Sequence, residues 1–318
     1  MKNPQCKYSL EDLLFPVALC DIWVEIPAKA CVKPARFKAV TALDRKYVFA
    51  VVAEDYQLIT NKEAIELGRE CFQSVFSLLH GSDMELFNIV TPTTRSFCHI
   101  DYTHRQSEFN PFGGDTWIPY IRITNSYNRM FALNFDLGFC RRICWNGIIF
   151  GRKNIVFKFN HSKRAGEPSA KFRLRAGEFR DLEIQFVESL ENLKRFYVPR
   201  NVTWALTCKV FGLPKLPDLP SPKPREIWDE RRKHIHQLTK RYFTEIGDNG
   251  YAAFNVLTDF ATRPVGYISA DIQINALQQK AGDWIQPFIT AVQSRDFSFT
   301  RYLGEYADLV LDQRSFFR

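Results

Sequence analysis

The segment CRRICWNG, residues 140–147, follows the alternating run FALNFDLGF and combines several residue types that do chemistry. Cys140 and Cys144 are separated by three residues, which does not match the C-x2-C pair that places two thiolates on one zinc ion. We therefore interpret them as buried apolar residues. The arginines and the tryptophan between them favour a single-stranded nucleic acid, because cations neutralise phosphates and ring faces stack on bases.

Basic residues continue beyond this segment, along the next strand and its turn. The predicted nucleic-acid-binding residues are Arg141, Arg142, Trp145, Asn146, Arg152, Lys153, Lys158, His161, Lys163, Arg164, Lys171, Arg173 and Arg175. We expect Arg141 and Arg142 to alternate across the sheet, so that one binds phosphate and the other anchors the fold or binds a carboxylate. Asn146 and Gly147 are predicted to form the turn that ends the strand. The alternative is that Trp145 lies in the core and the cations keep a sheet edge soluble.

A second group of residues offers metal chemistry. In HIDYTH, the strand period puts His99 and Asp101 on one face, and His104 on the other unless the strand has ended. With His161 they form the alternative site, for a divalent metal or a nucleotide, and satisfied polar strand residues are the simpler interpretation. The sequence has no nucleophile elbow, phosphate-binding loop or dinucleotide-binding motif. No catalytic residue and no cofactor are therefore predicted.

The positive charge of the chain is concentrated in one region. The net charge is +8, and residues 151–245 hold 21 Lys or Arg against 11 Asp or Glu, so the rest of the chain is slightly acidic. A local basic excess of this kind is typical of proteins that bind a phosphate backbone, and a solvated basic surface is the alternative.

Composition limits the compartment and the class of protein. The eight cysteines include no CxxC pair, and MKNPQCKYSL does not resemble a secretory signal, which together predict a reducing cytoplasmic location. No window approaches the roughly 18 apolar residues of a transmembrane helix, so we expect no membrane association.

Hydrophobic periodicity predicts an α+β fold. An antiparallel β-meander over residues 85–163, with one apolar face and one face free to meet solvent or a ligand, follows a hairpin around residues 40–53 and a helix from Asn61. A helix over residues 176–198 should pack on the apolar face, giving a β-β-β-α-like core backed by helices. The predicted domains are an α+β domain at 1–212, a proline-rich connection at 213–225 and a helical C-terminal subdomain at 226–318.

Five segments of the chain resemble, in order, the phage/plasmid-like family catalogued as domain of unknown function 932. They are VAEDYQLITNKEA at 52–64, NSYN at 125–128, RRICWNG at 141–147, HS at 161–162 and FNVLTD at 254–259. The resemblance runs from about residue 40 to about residue 290. Where the family often has Ser-His-Asp-Gly, this chain has Ser126, Tyr127, Asn128 and Arg129. Membership implies a gene of a phage, plasmid or other mobile element and implies no reaction.

Together these observations predict a protein that binds single-stranded nucleic acid, most simply DNA, in replication or recombination of a mobile element. The predicted order of a β-meander and a long helix resembles the core of single-strand annealing recombinases, with which a homo-oligomer is compatible. A metal- or nucleotide-dependent enzyme of the anti-defence or nuclease type is the alternative. A non-catalytic phage structural or interaction protein is a third interpretation.

Overall fold

The computed structural model describes residues 7–25, 27, 31–33, 36–75, 84–104, 108–150, 156–159, 178–215, 222–267 and 270–311. These residues form an α+β protein with antiparallel sheets and a helical C-terminal region, which confirms the predicted fold class. The strands are β1 (Val17–Asp21), β2 (Phe37–Ala42), β3 (Tyr47–Ala53), β4 (Met84–Val90), β5 (Phe97–His104), β6 (Phe109–Phe112), β7 (Asp115–Ser126), β8 (Leu133–Arg141), β9 (Asn146–Ile149) and β10 (Val156–Phe159).

The helices of the described residues lie mainly in the C-terminal half. They are α1 (Asn61–Val75), α2 (Glu178–Arg195), α3 (Thr203–Phe211), α4 (Pro222–Ile246), α5 (Gly250–Thr262), α6 (Ala270–Asp283), α7 (Ile285–Val292) and α8 (Phe299–Leu303), with 3-10 turns at Arg200–Val202 and Gly304–Leu309. In the described part of the chain, no helix is long and apolar enough to span a membrane.

A three-stranded sheet has the order β1-β2-β3. Its hairpin turns where the sequence predicts, between β2 and β3, and Lys46 takes the left-handed backbone conformation (φ 53°) there. The prolines, cysteines and short apolar runs at the start of the chain suggest an irregular or extended arm, and within it β1 forms a strand that pairs with β2. Val17 and Leu19 of β1 pack against the cluster around Val40 and Val52, and this tertiary packing leaves no periodic signal in so short a strand.

The larger sheet has the order β10-β8-β7-β5-β4, with β6 paired to β7 and β9 paired to β8. The consecutive strands β4 and β5, β6 and β7, β7 and β8, and β8 and β9 are paired antiparallel neighbours, as predicted for a meander. In β8 the alternate residues Leu133, Phe135, Leu137 and Phe139 are all buried. The residues between them are buried too, except Asn134, so both faces of this strand are covered.

Two compact units divide the chain. The first comprises residues 1–108, 119–137 and 155–179, and the second comprises residues 109–118, 138–154 and 180–318. The predicted connection at 213–225 overlaps α4, which begins at Pro222, a residue type that the first turn of a helix tolerates. Since residues 216–221 lie outside the described residues, the predicted domain boundary there stays a prediction.

In the first unit, α1 packs on the apolar face of the sheet. A Cβ atom at Gly68 would lie 2.2 Å from Ile123 Cδ1 and 3.3 Å from Phe135 Cε1, so glycine allows this close approach. The helix begins at Asn61, as predicted, and Thr60 caps it. The Thr60 backbone N–H donates to Glu63 Oε2 at 2.7 Å and the Glu63 N–H donates back to the Thr60 hydroxyl, which is a capping box.

In the second unit, α2 packs on the end of β8. The ring of Phe186 stacks on Phe139 with centroids 4.5 Å apart and planes within 1° of parallel. The prediction that this helix covers apolar residues of the meander is confirmed at this contact.

Candidate nucleic-acid interface

The turn that follows β8 begins at Arg142, four residues before the predicted turn at Asn146. β8 ends at Arg141 and β9 begins at Asn146, and these two residues pair across the hairpin. The connecting turn is Arg142–Trp145, in which Trp145 adopts φ 59° and donates its backbone N–H to the Arg141 carbonyl at 2.8 Å. The prediction of a turn at Asn146 and Gly147 is therefore wrong, although an Asn-Gly pair is a strong hairpin signal on its own.

Arg141 is the arginine of the pair that binds carboxylates. Its side chain is 4% exposed and donates from Nε to Asp115 (2.7 Å), from Nη2 to Glu245 (2.9 Å) and from Nη1 to Asn255 (3.1 Å). Burial alone would lower the pKa of Arg141, but the hydrogen bond with Asp115 and the surrounding negative groups raise it overall. Arg141 therefore anchors the hairpin and its guanidinium is occupied by the protein.

The turn itself retains solvent-accessible residues. Arg142 and Trp145 are half-buried, and Ile143 is 66% exposed. The Arg142 backbone N–H donates to the Thr116 carbonyl at 2.9 Å, which holds the turn against β7. Within CRRICWNG, Arg142 and Trp145 are thus the predicted nucleic-acid-binding residues whose side chains keep part of their surface exposed to solvent.

Asn146 belongs to a buried hydrogen-bond network instead of a surface. Its amide donates to the Tyr242 hydroxyl at 2.9 Å and accepts from Arg263 Nη2 at 2.6 Å. Tyr242 in turn donates to Asp259, which also binds Arg263. Burial and the negative groups beside it raise the pKa of Tyr242, so its hydroxyl stays protonated and donates.

The side chains of the other predicted nucleic-acid-binding residues lie outside the described part of the chain. Lys158 lies in β10 opposite Asn134, and its side chain is outside the described residues. The remaining predicted cations also lie outside the described residues: Arg152, Lys153, His161, Lys163, Arg164, Lys171, Arg173 and Arg175.

Two of the three residues of the alternative metal site, His99 and Asp101, form hydrogen bonds with other side chains. His99 and Asp101 share one face of β5, as the strand period predicts. His99 Nδ1 lies 2.8 Å from the Thr124 hydroxyl, and both oxygens of Asp101 accept hydrogen bonds from Arg122 at 2.7 Å. The His104 side chain is outside the described residues, and among those that are described no three His, Cys, Asp or Glu residues group to hold a metal.

The polar face of the sheet is buried, which corrects the expectation that it is free to meet solvent or a ligand. His99, Asp101, Arg122 and Thr124 are each at most 1% exposed, and Asp136 on β8 is 3% exposed. The physical reason is that these strands supply partners for most of the buried polar groups: His99 Nδ1 pairs with the Thr124 hydroxyl, and Asp101 accepts from Arg122.

An open basic surface lies on α4, and the sequence analysis did not single it out. Asp229, Arg232, Lys233 and His236 line a cleft of about 300 Å³ together with Leu311; we call it the α4 cleft. Spacings of three, four and seven residues put the four polar side chains on one helix face, and this spacing was the signal available in the sequence.

Residues of the α4 cleft are electrostatically coupled. Arg232 lies over the ring of the buried Trp228, with its Cζ 5.5 Å from the ring centroid. The pKa of His236 is lowered by partial burial and by the positive charges of Arg232 and Lys240. The cleft thus has a positive field that favours the neutral form of this histidine.

Segments that are far apart in sequence meet in two buried junctions. In the second unit, RRICWNG meets FNVLTD through the bond from Arg141 to Asn255. In the first unit, the end of VAEDYQLITN meets NSYN: the Tyr127 hydroxyl accepts from the Asn61 N–H at 2.8 Å, and Asn125 donates to the Asn61 side chain at 2.9 Å. Each junction replaces solvent by internal hydrogen bonds, so these segments stabilise the fold.

The chain belongs to the family described as Domain of unknown function (DUF932), whose model matches residues 48–281. This match confirms the resemblance to the family, and all five quoted segments lie within the matched residues. No curated protein and no solved structure matches the chain.

Proposed function

We propose that the protein binds single-stranded DNA through cations concentrated between residues 151 and 245. The observation that carries the proposal is the basic face of α4, where Arg232, Lys233, His236 and Lys240 follow one another along an accessible surface. Unlike Arg141, these residues lie on a surface that a phosphate can reach. The basic excess of ten charges in this part of the sequence supports the same conclusion.

The half-buried Trp145 supports a single strand over a duplex. An aromatic ring next to cations stacks on unpaired bases of any sequence, and a paired duplex does not offer those base faces. Arg142 stands in the same turn and would neutralise a neighbouring phosphate. Trp145 and Arg142 are therefore the described residues of CRRICWNG that this function uses.

The family resemblance and the cysteines suggest the setting. We place the activity in replication or recombination of a phage or plasmid, where single strands are annealed, with a homo-oligomer as the form that would line up two strands. The cysteines of the described residues are free thiols, which supports a reducing compartment such as the cytoplasm.

A salt-dependent titration against single-stranded and duplex DNA tests the proposal. Counterion release should make log affinity for the single strand fall linearly with log salt, by roughly 0.7 per phosphate neutralised, and the total slope should reach several units. Changing Lys163→Gln and Arg164→Gln together should flatten the slope by about one unit or more, if both contact phosphate. The matched control is Lys7→Gln with Lys62→Gln, two exposed lysines outside residues 151–245.

Three outcomes would contradict the proposal. They are a salt-insensitive complex, tighter binding of the duplex than of the single strand, and turnover of the strand that requires a divalent metal.

A further inference from the structure

The size of the α4 cleft suits one small ligand. Its volume of about 300 Å³ is at the lower end of the range of roughly 300–1,000 Å³ that small-molecule sites take. A groove that follows a strand over many nucleotides would extend along the surface. The cleft is therefore sized for a single nucleotide unit.

The charges of the cleft suit a doubly negative group. Arg232 and Lys233 supply positive charge, and Lys240 is close enough to lower the pKa of His236. Among the described residues that line the cleft, Asp229 is the one carboxylate. A phosphate monoester carries nearly two negative charges at neutral pH, whereas a phosphate inside a strand carries one. The positive excess consequently favours the monoester.

The position of Arg232 is fixed by packing. Its guanidinium lies over Trp228, and Trp228 packs edge-to-face on Trp204 with ring centroids 5.2 Å apart. Both tryptophans are buried. An arginine held in this way loses less conformational freedom when it binds an anion.

Asp229 and Leu311 add contacts that a simple anion-binding site does not need. A carboxylate repels a bare inorganic anion, but it accepts hydrogen bonds from the sugar hydroxyls or base amino groups of the same ligand. Leu311 offers an apolar contact to a sugar or a base. Phosphate, hydrogen-bond donors and an apolar surface occur together in a nucleotide.

We propose that the α4 cleft binds a nucleotide monophosphate, with the phosphomonoester on Arg232, Lys233 and His236 and the sugar or base on Asp229. This inference deepens the proposed function and rests on it where the nucleotide is the 5′-phosphorylated end of a DNA strand. A free nucleoside monophosphate has the same chemistry, so the two sources are separate arms of the test.

The experiment uses the full chain and four probes: adenosine 5′-monophosphate, inorganic phosphate, and one oligothymidylate with either a 5′-phosphate or a 5′-hydroxyl. We expect adenosine monophosphate to bind, and the phosphorylated strand to bind about tenfold tighter than the hydroxyl strand, the effect of one extra set of charge-assisted hydrogen bonds. Changing Arg232→Gln and Lys233→Gln together should reduce that difference to about twofold or less. The control Lys223→Gln with Arg241→Gln removes the same charge from residues that do not line the cleft and should retain the difference.

A second variant keeps the test informative if the arginine change disturbs the packing on Trp228. Asp229→Asn removes the repulsion and weakens the acceptor, so it should weaken adenosine monophosphate relative to inorganic phosphate by about threefold or more. If the ratio of the two affinities did not change, Asp229 would not contact the sugar or base, and the proposal that the ligand is a nucleotide would be contradicted.

Failure of the inference and failure of the proposed function give different results. Equal affinity for phosphorylated and hydroxyl strands, with no binding of adenosine monophosphate, would overturn the inference and leave strand binding intact. Binding of adenosine monophosphate that disappears in the cleft variant, without binding of either strand, would support the cleft and overturn the proposed function.

Discussion

The sheet of the first unit and helix α4 of the second use charged residues in opposite ways. In the sheet, Asp101 and Arg122 form a two-bond pair in which both side chains are 1% exposed. On α4, Arg232 and Lys233 line an open cleft in which one carboxylate accompanies them. The comparison shows that charge alone does not identify a ligand site: a paired, buried charge organises the fold, and an incompletely compensated, accessible charge is available for binding.

Neutralising one partner of the buried sheet pair should have the largest effect on stability. Asp101→Asn removes the carboxylate that binds Arg122 through two hydrogen bonds, so the buried cation loses its direct ion pair, which we expect to lower the free energy of unfolding by roughly 3–5 kcal/mol. Chemical denaturation followed by circular dichroism measures this change. Glu191→Gln is the control, because it breaks an exposed pair with Arg195 and should cost about 1 kcal/mol or less. Equal losses in the two variants would mean that burial does not distinguish the pairs.

The two neighbouring arginines of CRRICWNG should separate stability from binding. Arg141→Met leaves Asp115 and Glu245 without their cation and should lower the free energy of unfolding by about 2–3 kcal/mol. The loss is smaller than for Asp101 because Glu245 is 38% exposed and solvent replaces part of the interaction.

Arg142→Met should affect strand binding more than stability. We expect a stability change of at most about 1 kcal/mol and a salt slope for single-strand binding that is lower by about 0.7. A destabilised Arg142→Met protein with unchanged strand binding would assign both arginines to the fold. A double variant that removes both arginines could not distinguish these roles.

The sequence predicted the parts of the fold that repeat regularly. The meander, the hairpin with its turn before Tyr47, and helix α1 from Asn61 follow from alternation, turn residues and helical spacing. β1 was missed because its stability comes from packing on β2, and the Asn146 turn was misplaced because Trp145 adopts the left-handed conformation that asparagine or glycine usually takes.

The site was harder to predict because a sequence does not reveal which charges are paired. Arg141 and Arg142 are adjacent and identical in type, yet the carboxylates that distinguish them, Asp115 and Glu245, are 26 and 104 residues from Arg141. The face of α4 was available from spacing alone. Acidic residues such as Glu226 and Glu230 on the same helix reduce its net charge, so the sequence does not mark this face as strongly basic.

The smallest expected effect is a loss of folding stability in acid. It involves His234, a histidine of α4 that does not line the cleft. The pKa of His234 is lowered from 6.5, first by burial and then by Arg263, although Asp259 and Glu230 act in the opposite direction. Its Nε2 atom is buried without a hydrogen-bond partner among the described residues. Because the folded pKa lies below 6.5, the unfolded chain binds more protons just below that pH, and folding loses stability as the pH falls through 6.5 towards the folded pKa.

The measurement is the free energy of unfolding at pH 7.5 and 5.5 for the natural protein and for His234→Gln. We expect the decrease on acidification to be smaller in the variant, because glutamine does not take up a proton. His236→Gln is the matched control: the same direction of pKa shift applies to His236, but it is less buried, so its removal should reduce the decrease by a smaller amount. If His236→Gln had the larger effect, the acid sensitivity of α4 would arise in the cleft. The charges of the cleft would then contribute to the stability of the fold, as the buried pair of the sheet does.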